Sequence, residues 1–382
     1  MKRFYGILLM VITVIVLAAC GSSDTSSGDA DTSGNGGGES SGKAKTLKAS
    51  SGVTDEHFWD RGFFSPLIEG VEEGSDGEVK FDKFVAGELV ELGNELEALQ
   101  SGSIDVALTL MGPYDPQRFP YTEVVMLPTL GSDAESVTTA ISNLMQSDVE
   151  INDGKTFYEI EFEDKGLVAF PNAATEPYVI STTKQKFESK DDFKQGLRLR
   201  TASRVHEILA DILGITGQTM PITDSYDALS RNALDGIIYN APDWTAFGFD
   251  ELIKHTITDV NLGHFVGYTA VTQETWDSFS PELQALFEET AYDVVHAAAT
   301  LTKGETDENV EANIEKGGEL TAFDDLSPEL QEHLAGAVVE TWMQWIEILE
   351  KDGHAGTEIA KLWRDLLVDA GATLPQEILD LE

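Results

Sequence analysis

The chain has 382 residues, with 68 Asp plus Glu against only 25 Lys plus Arg, and a formal net charge of −43. A field of this sign excludes nucleic acid and anionic membrane surfaces as natural partners. The 41% of hydrophobic residues excludes wholesale disorder, the length suits two lobes, and the carboxylate surplus suits a saline habitat, where screening shortens to ~3 Å at 1 M salt.

At the N-terminus, Lys2 and Arg3 precede an apolar run from Ile7 to Val16 that ends in Leu17-Ala18-Ala19-Cys20. A basic start, an apolar stretch and small residues describe an export signal over residues 1–19. The run is short of the ~20 residues that a membrane-spanning helix needs. Leu-Ala-Ala-Cys resembles the lipobox of bacterial lipoproteins, which implies acylation of Cys20 and attachment to the outer face of a membrane. Cys20 is the only cysteine, so no internal disulfide can form. Residues 21–44 are Gly, Ser, Asp and other small or polar residues. They cannot bury enough surface to offset their ordering entropy, so 20–44 read as a flexible tether.

The body is expected from Lys45 to Glu382. "EALQSGSIDV" (97–106) and "DALSRNALDG" (227–236) share an acid, Ala-Leu, a turn residue and an apolar-Asp pair at matching offsets. Leu92, Leu96 and Leu99 carry helical spacing, Gly102 can end the helix in the left-handed conformation, and "IDVAL" follows as a buried strand. Asn232 stands where the glycine stood, and asparagine tolerates that conformation next best. A helix–turn–strand unit appearing twice predicts two α/β lobes of similar build. Further on, Ser280-Pro281 and Ser327-Pro328 read as helix starts, each with a serine N-cap and proline at the first helical position. The first helix extends to about Ile314, long enough to brace two lobes.

In "KQGLRLRTAS" (194–203) the period of two places Leu197 and Leu199 on one face of a strand and Arg198 and Arg200 on the other. Arg200 lies nearer the carboxyl end, beyond which ligands bind in α/β sheets. A guanidinium fork meets a carboxylate with two parallel hydrogen bonds. Arg198 reads as a surface residue or a salt-bridge partner. Enzyme signatures are missing: the seven histidines lack metal spacing, and there is no nucleophile elbow, phosphate-binding loop or EF-hand pattern.

With these pieces placed, the chain resembles the substrate-binding proteins of tripartite ATP-independent periplasmic (TRAP) transporters over most of residues 46–350. "AGELVELGNELEALQSGSIDVAL", "FPYTEVVMLPTL", "KQGLRLRTAS", "YDALSRNALDG" and "ETWDSFSPELQ" follow in family order. The resemblance implies a two-lobe periplasmic-binding-protein-like α/β fold with a ligand cleft between lobes, a long bracing helix and a helical C-terminal region. Residues 45–170 plus about 266–300 would form lobe I, and 171–265 plus about 301–382 lobe II and the C-terminal helices. It implies that Arg200 binds the carboxylate of an organic acid. Tyr239, Asn240 and Trp244 after the second-lobe strand, Phe58 and Trp59 in "HFWD", Asn172 at the crossover and Met111 at a strand end are the other candidate ligand contacts. The implied partners are a small organic acid, the membrane permease subunits of a TRAP transporter and, through Cys20, a membrane. No cofactor, metal or catalytic residue is expected. A lipid-anchored enzyme acting on a carboxylated small molecule, or a sensory binding protein, is the alternative.

Overall fold

The two echoing stretches fold alike in the computed structural model, which describes residues 45–382. The export signal, Cys20 and the tether lie outside the described residues. Helices Glu95–Gln100 and Ser225–Ser230 each end in a left-handed residue, Gly102 (φ +70°) and Asn232 (φ +55°). Equivalent backbone bonds close both ends: Ser103 N–H to Ala98 O at 2.9 Å, and Ala233 N–H to Ala228 O at 2.8 Å. The shared aspartate then locks the next strand to its neighbour. Asp105 accepts from Lys48 N–H (2.8 Å), and Asp235 accepts from Arg198 N–H (2.9 Å). Each also donates its own N–H back to the carbonyl of the same neighbour, at 3.0 and 2.8 Å. The first helix starts later than its leucine spacing predicts, because Gly93 takes φ +95° and leaves Leu92 in the preceding loop.

In chain order the strands begin with β1 (Lys45–Ser50), β2 (Val79–Phe84), β3 (Val106–Leu110), a small hairpin β4 (Glu150–Asn152) and β5 (Lys155–Thr156), and β6 (Leu167–Pro171). They continue with β7 (Tyr178–Thr182), β8 (Arg198–Thr201), β9 (Thr216–Thr219), β10 (Gly236–Asn240), β11 (His255–Thr258), β12 (Tyr268–Thr272) and β13 (Glu319–Ala322). Lobe I is built on the sheet β2-β1-β3-β12-β6 and lobe II on β13-β11-β7-β10-β8-β9. In lobe I, β2, β1 and β3 are parallel and β12 runs antiparallel to β3 and β6. In lobe II, β10, β8 and β9 are parallel and β7 runs antiparallel to β10 and β11. Arg200 pairs with Ile237 of β10 on one side and Gln218 of β9 on the other.

The chain passes between lobes at 172–177 and at 259–267, and these two segments hold each other. Tyr178 N–H donates to Gly263 O (2.9 Å), Thr175 N–H to Phe265 O (3.0 Å) and Leu262 N–H to Tyr178 O (3.1 Å). Gly263 has φ +98°, and a Cβ there would lie 2.1 Å from the carbonyl oxygen of Met126. Only glycine fits this crossing.

Helix Pro281–Glu315, 35 residues long and capped by Ser280, is the third connection. Its Lys303 reaches Asp133 and Glu135 of lobe I (2.8 Å each). Its Asn313 donates to the carbonyls of Asp250 and Ile253 in lobe II (3.0 Å each). The helix therefore touches both lobes along its length. The C-terminal helices spread over both lobes. Helix Pro328–Lys351 packs on Arg204–Leu213 of lobe II, yet its Trp342 donates to Pro128 O of lobe I at 2.7 Å. Helix Gly356–Asp369 lies against Ala134–Met145 of lobe I, and Thr373 bridges to Gly131. Tryptophans 342, 345 and 363, all fully buried, anchor these helices in the interior.

Candidate ligand cleft

The parallel strands of both lobes point their carboxyl ends at the interlobe space, where the antiparallel β7 and β12 begin. Side chains just after β1 and β3, at the ends of β8 and β10, and at the start of β7 therefore converge. They enclose a cavity of about 20 Å³, enough for roughly one water molecule. Lobe I contributes Val53, His57, Trp59, Leu92, Met111 and Tyr114. Lobe II contributes Tyr178, Ile222 and Tyr239, and the two crossing segments contribute Thr175 and Phe265.

Arg200 is fully buried beside this cavity. Its Nε donates to Met220 O (3.1 Å), and its Nη2 donates across the lobes to the hydroxyl of Tyr114 (3.2 Å). The guanidinium carbon stands 5.8 Å from the centre of the Tyr239 ring, a cation–π arrangement. Nη1 has no hydrogen-bond partner, and among the described residues no carboxylate pairs with Arg200. A buried guanidinium without an anion is costly, and it is compensated only if an anion arrives. Arg198, two residues earlier, is spent differently. Its Nε and Nη2 form a two-pronged pair with Asp235 (3.0 Å each), in a half-exposed position.

The other sequence candidates divide. Trp59, Met111 and Tyr239 line the cavity, with the Trp59 indole fixed by a 2.7 Å bond to Ala173 O. Phe58, Asn172, Asn240 and Trp244 are buried behind the wall instead. Phe58 turns away because residues 57–59 lie on a helical turn, where neighbours differ by about 100°. The Asn172 amide is committed to Leu108 O (3.0 Å) and to the Thr269 hydroxyl (2.9 Å), tying together β3, β12 and the crossover. Trp244 packs in the core just past β10. Asn240 donates to Asp243 at 2.7 Å.

His57, Tyr114, Tyr178, Phe265 and Asp243 were not anticipated. Asp243 is buried and accepts from Asn240, from the Tyr239 hydroxyl (3.3 Å) and from His57 Nε2 of the opposite lobe (3.5 Å). His57 Nδ1 accepts from Trp59 N–H (3.1 Å), which directs the Nε2 proton to Asp243. Burial opposes ionisation of Asp243, but His57 and the two other donors outweigh it and hold its pKa below the ordinary value. Burial pushes the hydroxyls of Tyr114, Tyr178 and Tyr239 upward, so all three are neutral donors. His206 packs its ring 5.2 Å from that of Tyr178, and burial lowers it to about 3.

Behind Leu92, the buried Glu95 accepts from Gly93 N–H (2.8 Å) and the Thr109 hydroxyl (3.3 Å), and burial raises it to about 8. Burial likewise raises Glu176, in the first crossing segment, to about 7, and the fully buried Glu161 to about 8. These carboxyls hold protons in the folded chain that the unfolded chain releases near pH 4.3. Folded values raised in this way mean that stability is lost as pH rises toward 7–8. His206 and His264, lowered to about 3 and about 4 by burial, act oppositely, since their contribution is complete above about pH 6.5 and fades below it. Between pH 6.5 and 8 only the glutamates act. Stability is expected to fall by ~2 kcal/mol across that window through Glu95. Urea unfolding at both pH values is the measurement, and Glu95→Gln is expected to make the slope shallower while leaving the share of Glu161 and Glu176; an unchanged slope would remove Glu95 as a source.

A family model described as bacterial extracellular solute-binding protein, family 7, matches residues 49–348. The C4-dicarboxylate-binding periplasmic protein of Rhodobacter capsulatus is 27% identical over 268 residues, 68% of this chain and 74% of that protein. The sialic acid-binding periplasmic protein of Vibrio cholerae is 24% identical over 265 residues, 69% of this chain and 78% of that protein. Among solved structures, a marine metagenome TRAP solute-binding protein specific for aromatic acids superposes with a TM-score of 0.75 at 22% identity, covering 86% of this chain and 99% of that one. Two lobes on twin sheets, three connections between them and a family match over most of the described body lead to one conclusion: the chain belongs to family 7 of the bacterial extracellular solute-binding proteins, the substrate-binding proteins of TRAP transporters.

Proposed function

We propose that this protein captures an organic acid in the interlobe cleft, outside the cytoplasm, and delivers it to the membrane permease of a TRAP transporter. The observation that carries the reading is Arg200, a buried guanidinium with one free N–H edge and no carboxylate partner beside a cavity shared by both lobes. An incoming carboxylate supplies the missing anion and the missing acceptor together. The relatives bind C4-dicarboxylates and sialic acid, and the structural neighbour binds an aromatic acid; a carboxylate is common to all three. A cavity of about 20 Å³ is far below the ~300 Å³ or more of usual ligand sites, so admission of ligand requires the lobes to part and close again. The crossing segments and the helix Pro281–Glu315 are the elements across which such a movement would turn. The family members and structural neighbours are solute-binding proteins, and the reading asks for no chemistry on the ligand.

The protein is held at the membrane through acylated Cys20 and the 21–44 tether, so that it stays close to its permease. Cys20→Ser is expected to shift the protein from the membrane to the soluble fraction, read by fractionation of expressing cells. Retention of that variant in the membrane fraction would remove the lipid anchor. The capture itself is tested by melting the full-length chain with a panel of organic acids and following any hit for turnover. Stabilisation without turnover is expected; conversion of the hit would make the protein an enzyme.

A further inference from the structure

The cavity has one cation and a predominantly apolar, ring-lined wall. Trp59, Tyr114, Tyr178, Tyr239 and Phe265 present aromatic faces or edges, and Val53, Leu92, Met111 and Ile222 fill the gaps. Among the described residues no lysine or arginine lines the wall, and Arg200 is the one Arg or Lys whose side chain bonds to it. Tyr239 separates two opposite charges. The guanidinium of Arg200 lies over its ring face, and the Asp243 carboxylate receives its hydroxyl. Asp243 also receives His57, a second wall residue, so it stands directly behind the wall away from the guanidinium.

On the reading that Arg200 takes a carboxylate, we infer that Asp243 is a specificity-determining residue, which makes the cleft select an aromatic acid with a single carboxylate and reject dicarboxylates. Rings pack against rings with offset or edge-to-face geometry and gain from the excluded water, so the body of the ligand is an aryl group. Its carboxylate goes to Arg200. A second carboxylate on the far side of the ring would approach Asp243 through the wall in a water-poor space, where like charges repel; Arg61, the arginine beside Asp243, lines a separate cavity with it and not the ligand cavity. A sugar acid brings several hydroxyls to a wall that offers them few partners, chiefly the O–H groups of Tyr114 and Tyr178, since Tyr239 already donates to Asp243 and the rest of the wall is largely apolar.

The test is calorimetric titration of the full-length chain with phenylacetate, 4-carboxyphenylacetate and succinate at one pH and salt concentration. Phenylacetate is expected to bind, and the two dicarboxylates to bind at least ~100-fold more weakly. Asp243→Asn keeps an acceptor for Tyr239 and His57 while removing the charge. It is expected to narrow the gap for 4-carboxyphenylacetate by about tenfold or more, with phenylacetate affinity changing less than about threefold. Wild-type preference for either dicarboxylate overturns the inference and leaves the carboxylate reading standing, and this comparison holds even if the variant does not fold. Equal weakening of all three acids in Asp243→Asn makes the residue a closure contact with His57 and also overturns it. A folded wild type that binds phenylacetate no better than toluene overturns the inference. If it also ignores a wider panel of acids, the carboxylate reading falls with it.

Discussion

Arg200→Ala is expected to weaken binding of the acid by roughly 30-fold to several-thousand-fold. Truncating one partner of a buried, hydrogen-bonded charge pair typically costs ~2–5 kcal/mol, most of it from stranding the other charge. Here the stranded group would be the ligand carboxylate, left in a cavity whose polar lining is His57, Thr175 and tyrosine hydroxyls, with no lysine or arginine among the lining residues and Asp243 bonded to Tyr239 behind them. The unliganded fold is expected to tolerate the change, because Arg200 has no protein anion to strand. Arg200→Lys keeps the charge but loses the fork and the bond pattern to Met220 O and the Tyr114 hydroxyl, so it is expected to bind distinctly worse as well. Arg198→Ala removes a solvent-screened pair with Asp235, a change of little consequence for stability, and is expected to leave affinity nearly unchanged. Calorimetry on the three variants with one acid, after each is shown to be folded, gives the comparison. Wild-type affinity in Arg200→Ala, or a greater loss in Arg198→Ala, would remove Arg200 from the site.

What could be read from the sequence follows the range of the interactions involved. The serine–proline helix starts at 280 and 327 were legible because a cap is satisfied within four residues. The twin helix–turn–strand units were legible because Gly102 and Asn232 mark their own left-handed turns. The alternation at 197–200 placed both arginines on one face of the strand, and distance from the strand end distinguished them. Tyr114, Tyr178 and Phe265 were not legible. They come from a turn, from the first residue of a strand and from a crossing segment, and only the meeting of two sheets brings them together. Asp243 was hidden differently: among 68 acidic side chains, one more carboxylate carries no signal until its burial is known. Trp244 and Trp59 look equally suitable as pocket aromatics, and local spacing cannot tell which faces the core. The C-terminal helices show the same limit, since their caps are local while the lobe they cover is decided by surfaces far away in sequence.

The second large effect is expected at Arg204, where the lobes are joined by a buried charge. Glu123 lies in the 3-10 segment Thr122–Met126 of lobe I, with its side chain fully buried. It accepts from Arg204 Nε at 2.8 Å and from Arg204 N–H at 2.9 Å, at the first residue of helix Arg204–Leu213 in lobe II. Ser203, at the N-cap position, makes no side-chain cap bond, so the acid of the opposite lobe satisfies a free N–H there and faces the positive end of the helix. Burial pushes the Glu123 pKa upward, and Arg204 opposes that rise. Arg204→Leu therefore leaves a buried carboxylate with a backbone N–H and the neighbouring Trp345 indole but no cation of its own, and is expected to cost ~3–5 kcal/mol of unfolding free energy. Glu123→Leu is expected to be milder, because the Arg204 side chain is 21% exposed and can turn its charge toward water. The double variant is expected to resemble Glu123→Leu rather than the sum of the two, the coupling that a direct contact produces. Urea unfolding of the three variants, with the slopes compared to confirm a single transition, tests the order. If Glu123→Leu proves the more damaging, or the losses simply add, the pair is not what holds these two surfaces together.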